Sequence, residues 1–238
     1  MRIDRYLSAA LGISRKDAAA LIKKGAVTMD GKPVSSKDAH VTGTVSANGS
    51  VVNYQENVHI MMNKPAGYLT AARDQNAPTV MQLVDPASAR RGISPVGRLD
   101  KDVTGLLIFT TDGELNHRLT SPAYCVPKVY IATVNGILTE DDIAFMAAGM
   151  NLGDFTAQPA VLEIIGRNVG KLTVTEGKFH QVKRMFEKIS KPVERLMRQS
   201  VAGVELDETL AEGECRELTD EEIAALYAAA KLKKGGTA

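Results

Sequence analysis

Asp100 lies in the string Gly97-Arg98-Leu99-Asp100-Lys101-Asp102-Val103-Thr104-Gly105-Leu106-Leu107, on a glycine-bounded turn just ahead of an apolar run. Loops held by a rigid scaffold present side chains to clefts, and an ionised carboxylate placed there can act as nucleophile or base. Taken bare, an Asp in a turn also bonds its own backbone. Lys128 and Tyr130 open a second apolar run two residues apart, so a strand puts them on one face. A tyrosine in a strand ordinarily fills a core or packs across strands. The third stretch is Glu176-Gly177-Lys178-Phe179-His180-Gln181-Val182-Lys183-Arg184-Met185. Phe179, Val182, Met185, Phe186 and Ile189 recur there at helical spacing. On such a helix Lys183, four residues after Phe179 and three before Phe186, borders the apolar face, while Arg184 points almost opposite and is expected to be solvated. A cation at the edge of a core requires a carboxylate, because leaving it unpaired costs several kcal/mol. Asp100 is the candidate partner of Lys183.

The elements that must position these groups alternate short strands and helices. Residues 59–63 read as a strand ended by Lys64-Pro65, residues 106–110 as a buried strand, and Asp112-Gly113 as the break before a helix through His117. Residues 129–134 read as another strand, Thr139 with Asp142 as a capping box for a helix ending at Gly149, and Thr219 with Glu222 as the cap of a last helix ended by Gly235-Gly236. The N-terminal stretch differs. Ile3, Leu7 and Leu11 form a helical stripe that Gly12 ends; Ser14 and Asp17 cap a second helix with Ala18, Leu21 and Ile22 on its apolar face, closed by Gly25. Residues 27–34 read as a hairpin turning at Asp30-Gly31. Residues 41–57, rich in Ser, Gly, Asn and Thr with a strand or two, end this first part, and the join is expected near residue 58. Uneven helices among hairpin-joined strands predict an α+β fold with a mainly antiparallel sheet.

Composition narrows the function. Apolar residues at 44% and charged residues at 24% are ordinary for a globular chain of 238 residues. No apolar run approaches the roughly 20 residues that span a bilayer. Arg2 and Arg5 precede a short apolar stretch, but Ser8 interrupts it and Arg15, Lys16 and Asp17 follow it, so it reads as part of the fold rather than an export signal. Cys125 and Cys215 cannot build a disulfide framework, and the four scattered histidines argue against a metal site. A cytoplasmic protein with no metal is expected. Neither a GxxxxGK followed by Ser or Thr nor a GxGxxG after a strand is present, so no cofactor is expected. Formal net charge is +1, yet residues 204–222 hold nine acids against Arg216 alone, and residues 1–58 and 59–203 are each +3. Positive charge set apart from an acidic stretch allows a one-faced nucleic-acid footprint.

Longer strings carry a resemblance. Arg2-Ile3-Asp4-Arg5-Tyr6-Leu7, Ser14-Arg15 and Gly25-Ala26-Val27-Thr28-Met29-Asp30-Gly31 together resemble the S4 RNA-binding domain. The string around Asp100, continued through Thr111-Asp112-Gly113, resembles the GRLDxxTxGLLxxTxDG signature of pseudouridine synthases of the RsuA/RluA kind. Lys128-Val129-Tyr130 resembles their K-x-Y motif, and Gly177 to Met185 their glycine-basic-x-His-Gln-aliphatic-basic-Arg-Met motif. Leu196-Met197-Arg198 followed by Gly203 resembles the closing motif beside the active site. The resemblance implies an S4-like domain over residues 1–58, a catalytic domain over residues 59–238 with a mainly antiparallel mixed sheet and flanking helices, and isomerisation of a uridine in ribosomal RNA. Within the subgroup that joins an S4 domain to the catalytic domain, it implies uridine 516 of 16S ribosomal RNA as target. Synthases of large-subunit (23S) RNA share the catalytic motifs, and a non-catalytic S4-type assembly factor would need none of Asp100, Tyr130 and Lys183. The implied roles are Asp100 attacking the sugar or the base or taking a sugar proton, Lys183 holding it ionised, Tyr130 stacking on the base, and Arg98 filling the gap left by a flipped nucleotide. Arg2, Arg5, Arg15, Lys16, Lys23, Lys24, Lys128, Lys178, His180 and Arg184 would contact RNA. The implied partner is small-subunit RNA or a partly assembled small subunit, with no membrane, and a monomer is expected.

Overall fold

The computed structural model describes residues 1–54 and 57–232, in two compact units. The first comprises Met1–Val58 with Asp85–Ile93, the second His59–Val84 with Ser94 onward. The passage between them falls where the composition shifts, but Asp85–Ile93, expected from the sequence to belong to the second part, groups with the first.

In the first unit, α1 (Ile3–Leu11) and α2 (Arg15–Lys23) precede the strands β1 (Val27–Met29), β2 (Lys32–Pro33), β3 (Val45–Ala47) and β4 (Ser50–Val51), paired in the order β2-β1-β3-β4. Gly12 ends α1 in the left-handed region, Ser14 accepts the Asp17 N–H to start α2, and Asp30-Gly31 turn the hairpin with both φ positive, all on the residues whose types favour it. Ile3, Leu7, Ala18, Ile22, Val27 and Val45 form the core. Leu11, expected on the apolar stripe, is exposed at the last position of α1, one residue before the chain turns away. A short α3 (Pro86–Arg90) completes the unit, capped by Asp85.

The second unit is built on one mixed sheet. In order of pairing it runs β11 (Val161–Gly166), β12 (Val169–Val174), β8 (Lys128–Val134), β13 (Val193–Val201), β7 (Thr104–Thr110), β5 (His59–Lys64) and β15 (Cys215–Glu217), with β6 (Ser94–Pro95) on β7 and β14 (Val204–Glu205) on β13. A small hairpin, β9 (Met150–Asn151) with β10 (Thr156–Ala157), stands apart. Among the described residues every pairing between these strands is antiparallel except β13 with β7. The fold is α+β with a mainly antiparallel sheet. β7 is a continuous apolar run because both its faces are covered: α4 (Gly113–Thr120) and α7 (Asp220–Ala229) pack Leu115, Leu119, Leu226 and Tyr227 against Leu106 and Ile108 on one face, and Leu107 and Phe109 are fully buried on the other. α5 (Glu140–Ala148) carries the expected Thr139–Asp142 capping box, as α7 carries Thr219–Glu222. Gly235-Gly236, expected to end α7, lie outside the described residues.

The last helix that bears on function departs from its sequence pattern. α6 is Gln181–Lys188, two residues shorter at its start than the periodicity implied. His180 takes a left-handed conformation at its N-cap, and Phe179 before it is exposed rather than on the buried face. Val182, Met185 and Phe186 alone supply that face.

Candidate active site

The turn bearing Asp100 is fixed from three sides by groups that lie far off in sequence. Thr70, buried, donates its hydroxyl to the Leu99 carbonyl at 2.8 Å and accepts the Leu99 N–H at 3.1 Å. Gly67 donates its N–H to the Lys101 carbonyl at 2.7 Å. Lys64, wholly buried at the end of β5, points its ammonium at the carbonyls of Pro65 and Val103, both at 2.9 Å, and of Lys101 at 3.4 Å. Three carbonyls meet the three donors of one ammonium, and burial still draws its pKa down to about 8. Just past the turn, Gly105 brings β7 against β13: it has φ +96°, and a Cβ there would sit 2.3 Å from the Arg198 carbonyl oxygen. Only glycine fits this conformation and this approach.

Asp100 is partly exposed at the junction of two cavities. Lys183, one turn into α6, lies 3.6 Å from Asp100 Oδ2, while its two hydrogen bonds, 2.7 and 2.8 Å, go to Asp102. Sequence reading named Asp100 as the partner of Lys183, and the two do form an ion pair; Asp102, two residues on in the same string, takes the hydrogen bonds and was not foreseen. The Lys183 hydrogen bond holds the Asp102 carboxyl below the usual range. His180 Nε2 approaches the other Asp100 oxygen at 3.5 Å, its ring stacked on Phe179. The segment before α6 is set by Glu176, buried, which accepts from the Gln158 N–H and the Gln181 amide, each at 2.8 Å.

Tyr130 and Lys128 share a face of β8, as two-residue spacing requires, and both are buried. The smaller cavity, about 70 Å3, lies between Tyr130, Val182, Val174 and Leu196, with Asp100 and Lys183 in its wall. The larger, about 640 Å3, has Asp100 and Tyr130 in its wall together with Lys128, Thr120 and Arg198. Arg98 is exposed and borders both. Lys128 donates to the Val126 carbonyl at 2.9 Å, and burial, with Arg198 nearby, takes its ammonium down to about 8.

Arg184 is not a free solvated cation. It donates to the Leu152 carbonyl at 2.6 Å and pairs with Asp154, while its guanidinium stands 4.9 Å from the Phe155 ring centroid. Lys178 lies 4.3 Å from the same ring and 3.5 Å from Glu176. These two cations clamp the β9–β10 hairpin. In the first unit, Arg2 and Arg15 both bond the buried carboxylate of Asp4 at 2.8 Å, and Arg2 also pairs with Asp38. The Arg2 hydrogen bond, more than that of Arg15, holds Asp4 down to about 2. Arg5, Lys16, Lys23 and Lys24 are exposed. Among the described residues no group of three His, Cys, Asp or Glu could hold a metal ion, and no helix is long and apolar enough to cross a membrane.

Comparison with known proteins bears on the site as a whole. The family model described as RNA pseudouridylate synthase matches residues 58–188, and the S4 domain model matches residues 1–45. An uncharacterized RNA pseudouridine synthase, YtzG, of Bacillus subtilis (strain 168) is 42% identical, covering 94% of this chain and 97% of its own length. Ribosomal small subunit pseudouridine synthase A of Escherichia coli (strain K12) is 38% identical over 95% of this chain and 100% of its own. A crystal structure of a pseudouridylate synthase superposes with a TM-score of 0.68 at 34% identity, covering 95% of this chain and 99% of the other.

Proposed function

This chain belongs to the RNA pseudouridylate synthase family, and we propose that its substrate is small-subunit ribosomal RNA, with uridine 516 of 16S RNA as the target. The similarity to a small-subunit synthase over nearly its whole length supports the choice of RNA. The observation that carries the chemical reading is the meeting of Asp100, Lys183 and Tyr130 in the wall of one small cavity.

Making pseudouridine breaks the bond from ribose C1′ to N1 of uracil, turns the base, and joins C1′ to C5. The C5 proton leaves to water and N1 takes up a proton, so atoms balance without an oxidant. Asp100 supplies the carboxylate that faces the ribose. Lys183 sets its ammonium 3.6 Å from that carboxylate and pairs with it at the cavity wall. Tyr130 stacks on the base while it is detached. Arg98, exposed at the rim, fills the gap from which the nucleotide has swung out. Residues 1–58 serve as the RNA-holding domain and residues 59–238 as the catalytic one, the bound RNA being bare or in a partly assembled small subunit.

Two measurements test this. Small-subunit RNA labelled with tritium at uracil C5 should release it to water with the wild-type protein and not with Asp100→Asn, whose RNA affinity should stay within about twofold because the substitution is isosteric. Mapping pseudouridines in ribosomal RNA from cells lacking the protein should show the loss at position 516. A loss confined to large-subunit RNA would overturn the substrate, and tritium release by Asp100→Asn would overturn the site.

A further inference from the structure

Two buried cations in the wall of the larger cavity have no part in the chemistry above. Lys128 opens β8, 9% exposed, on the face that carries Tyr130. Arg198, 3% exposed, lies on β13 directly across from Tyr130 in the sheet register, with Val201 across from Lys128. The Arg198 Nε donates to the Leu106 carbonyl at 2.8 Å, and its Nη2 is buried without a hydrogen-bond partner. No ion pair joins either cation to an acidic side chain among the described residues. The hydrogen bonds of each go to backbone carbonyls, and the charge of Arg198 adds to burial in disfavouring the Lys128 ammonium.

Adjacent desolvated cations with spare donors and no counter-ion are unfavourable in the empty protein. They are suited to meet an anion, and a guanidinium with an ammonium offers the fork and the point charge that bind phosphate. The room beside them is large. A cavity of about 640 Å3 exceeds what a pyrimidine base needs and suits a nucleotide with its backbone. The smaller cavity, walled by Tyr130, Val182 and Leu196 around Asp100, is the one scaled to a base. A base in the smaller space therefore leaves the adjoining backbone to the larger one, since Asp100 and Tyr130 border both.

We propose that Lys128 and Arg198 form a phosphate subsite that takes the backbone phosphodiester next to the flipped uridine. The subsite seats the nucleotide by its phosphate, so that the ribose is held between that anchor and Asp100. It rests on the reading of RNA as substrate, and it adds an anchor inside the cleft, where the phosphate is desolvated and its contact is therefore strong.

Full-length protein and a small-subunit RNA hairpin carrying one uncharged methylphosphonate linkage test it. With wild-type protein, a neutral linkage on one side of the target uridine should weaken binding about tenfold, the usual scale of a charge-assisted hydrogen bond. Neutral linkages farther along should matter much less. With Lys128→Met the unmodified RNA should bind about tenfold more weakly, and the neutral linkage should then cost no more than about twofold. Equal losses in wild type and Lys128→Met would overturn the subsite. So would a Lys128→Met protein that binds normally and turns over slowly at saturating RNA, which would place the cations on the detached base instead. The linkage scan in wild type alone decides the matter if the variant does not fold. Turnover of the unmodified hairpin by wild type keeps the two readings apart: no turnover sinks the functional reading, whereas normal turnover indifferent to every neutral linkage sinks only the subsite.

Discussion

Lys183 divides its charge between two carboxylates of one loop, and the division sets what each substitution should do. Its hydrogen bonds hold Asp102, which is 73% exposed, and such exposed pairs contribute at most about 1 kcal/mol. Asp102→Asn should therefore lower kcat by no more than a few fold, since Lys183 stays in place beside Asp100. Lys183→Met removes the ammonium 3.6 Å from Asp100 and should lower kcat by roughly 10²–10³-fold, the range seen when a charge is removed from a cleft, with KM little changed. Arg184→Met should leave kcat near wild type and loosen the β9–β10 hairpin instead, seen as faster amide exchange at residues 150–157, because its bonds go to Leu152 and Asp154. A fall in kcat for Arg184→Met as deep as for Lys183→Met would contradict this assignment. Lys128 adds a stability argument. Burial pulls its pKa from 10.5 to about 8, so the folded state gives up its proton more readily than the unfolded state. The charged form then costs stability at every pH below about 8, and the cost fades as pH rises from about 8 toward 10.5. Lys128→Met should raise the unfolding free energy by roughly 1–3 kcal/mol at pH 7, with the gain shrinking at pH 10. Denaturant titrations at the two pH values measure it; an unstable variant at pH 7 would mean that the Val126 carbonyl bond outweighs the buried charge.

At the scale of elements, the site exists because strands far apart in sequence meet at one loop. Gly105→Ala is the sharpest test of this. The new Cβ would fall within 2.3 Å of the Arg198 carbonyl, on a residue with φ +96°, so strain and separation of the one parallel pair act together. A loss of roughly 3–5 kcal/mol is expected, measurable by denaturant midpoint, and a loss below about 1 kcal/mol would show that β7 and β13 part with little resistance. Such long-range contacts also mark where the sequence stopped being readable. The helix caps Ser14, Thr139 and Thr219, the turn Asp30-Gly31 and the alternation in β8 were legible, because each is settled between neighbouring residues. Lys64 and Thr70 were not. Their patterns, a lysine before a proline and a threonine after a leucine, hold no local sign of bonds to Leu99, Lys101 and Val103 some thirty residues away. The start of α6 misled for a related reason. Phe179 continues an apolar periodicity, but Glu176 and Gln181 bond each other and turn the chain before it can join the helix. Asp102 stood two residues from Asp100 in the same string; only the position of α6 selects between them for Lys183.

For the whole molecule, charge is sorted so that some cations are committed to the fold and others remain for a polyanion. Arg216 is occupied by Asp207 and Glu222, which quiets part of the acidic stretch at residues 204–222. Arg2 and Arg15 are tied to Asp4, whose carboxylate they hold charged inside the first unit. Replacing Arg2 removes the stronger of the two partners and leaves the buried carboxylate to Arg15, so Arg2→Gln should act first on stability and only then on RNA. Arg5, Lys16, Lys23 and Lys24 differ: all four are exposed, and none has an ion pair among the described residues. With Lys32 and Lys37, which are also exposed, they are cations of the first unit left to release counterions from RNA. Changing all four to Gln should leave the melting temperature within a few degrees, since surface substitutions are usually within about 0.5 kcal/mol each. The slope of log affinity against log salt should then fall by about 0.7 for each phosphate that is no longer neutralised, toward 3 if all four engage RNA. At saturating RNA kcat should be unchanged, because Asp100 and Tyr130 belong to the second unit. Affinity and slope measured between 50 and 200 mM salt, a range in which about six neutralised phosphates already change affinity by orders of magnitude, decide it. An unchanged slope would make these four residues solvated surface, and would move the electrostatic grip on RNA to Arg98 and the cations of the cleft.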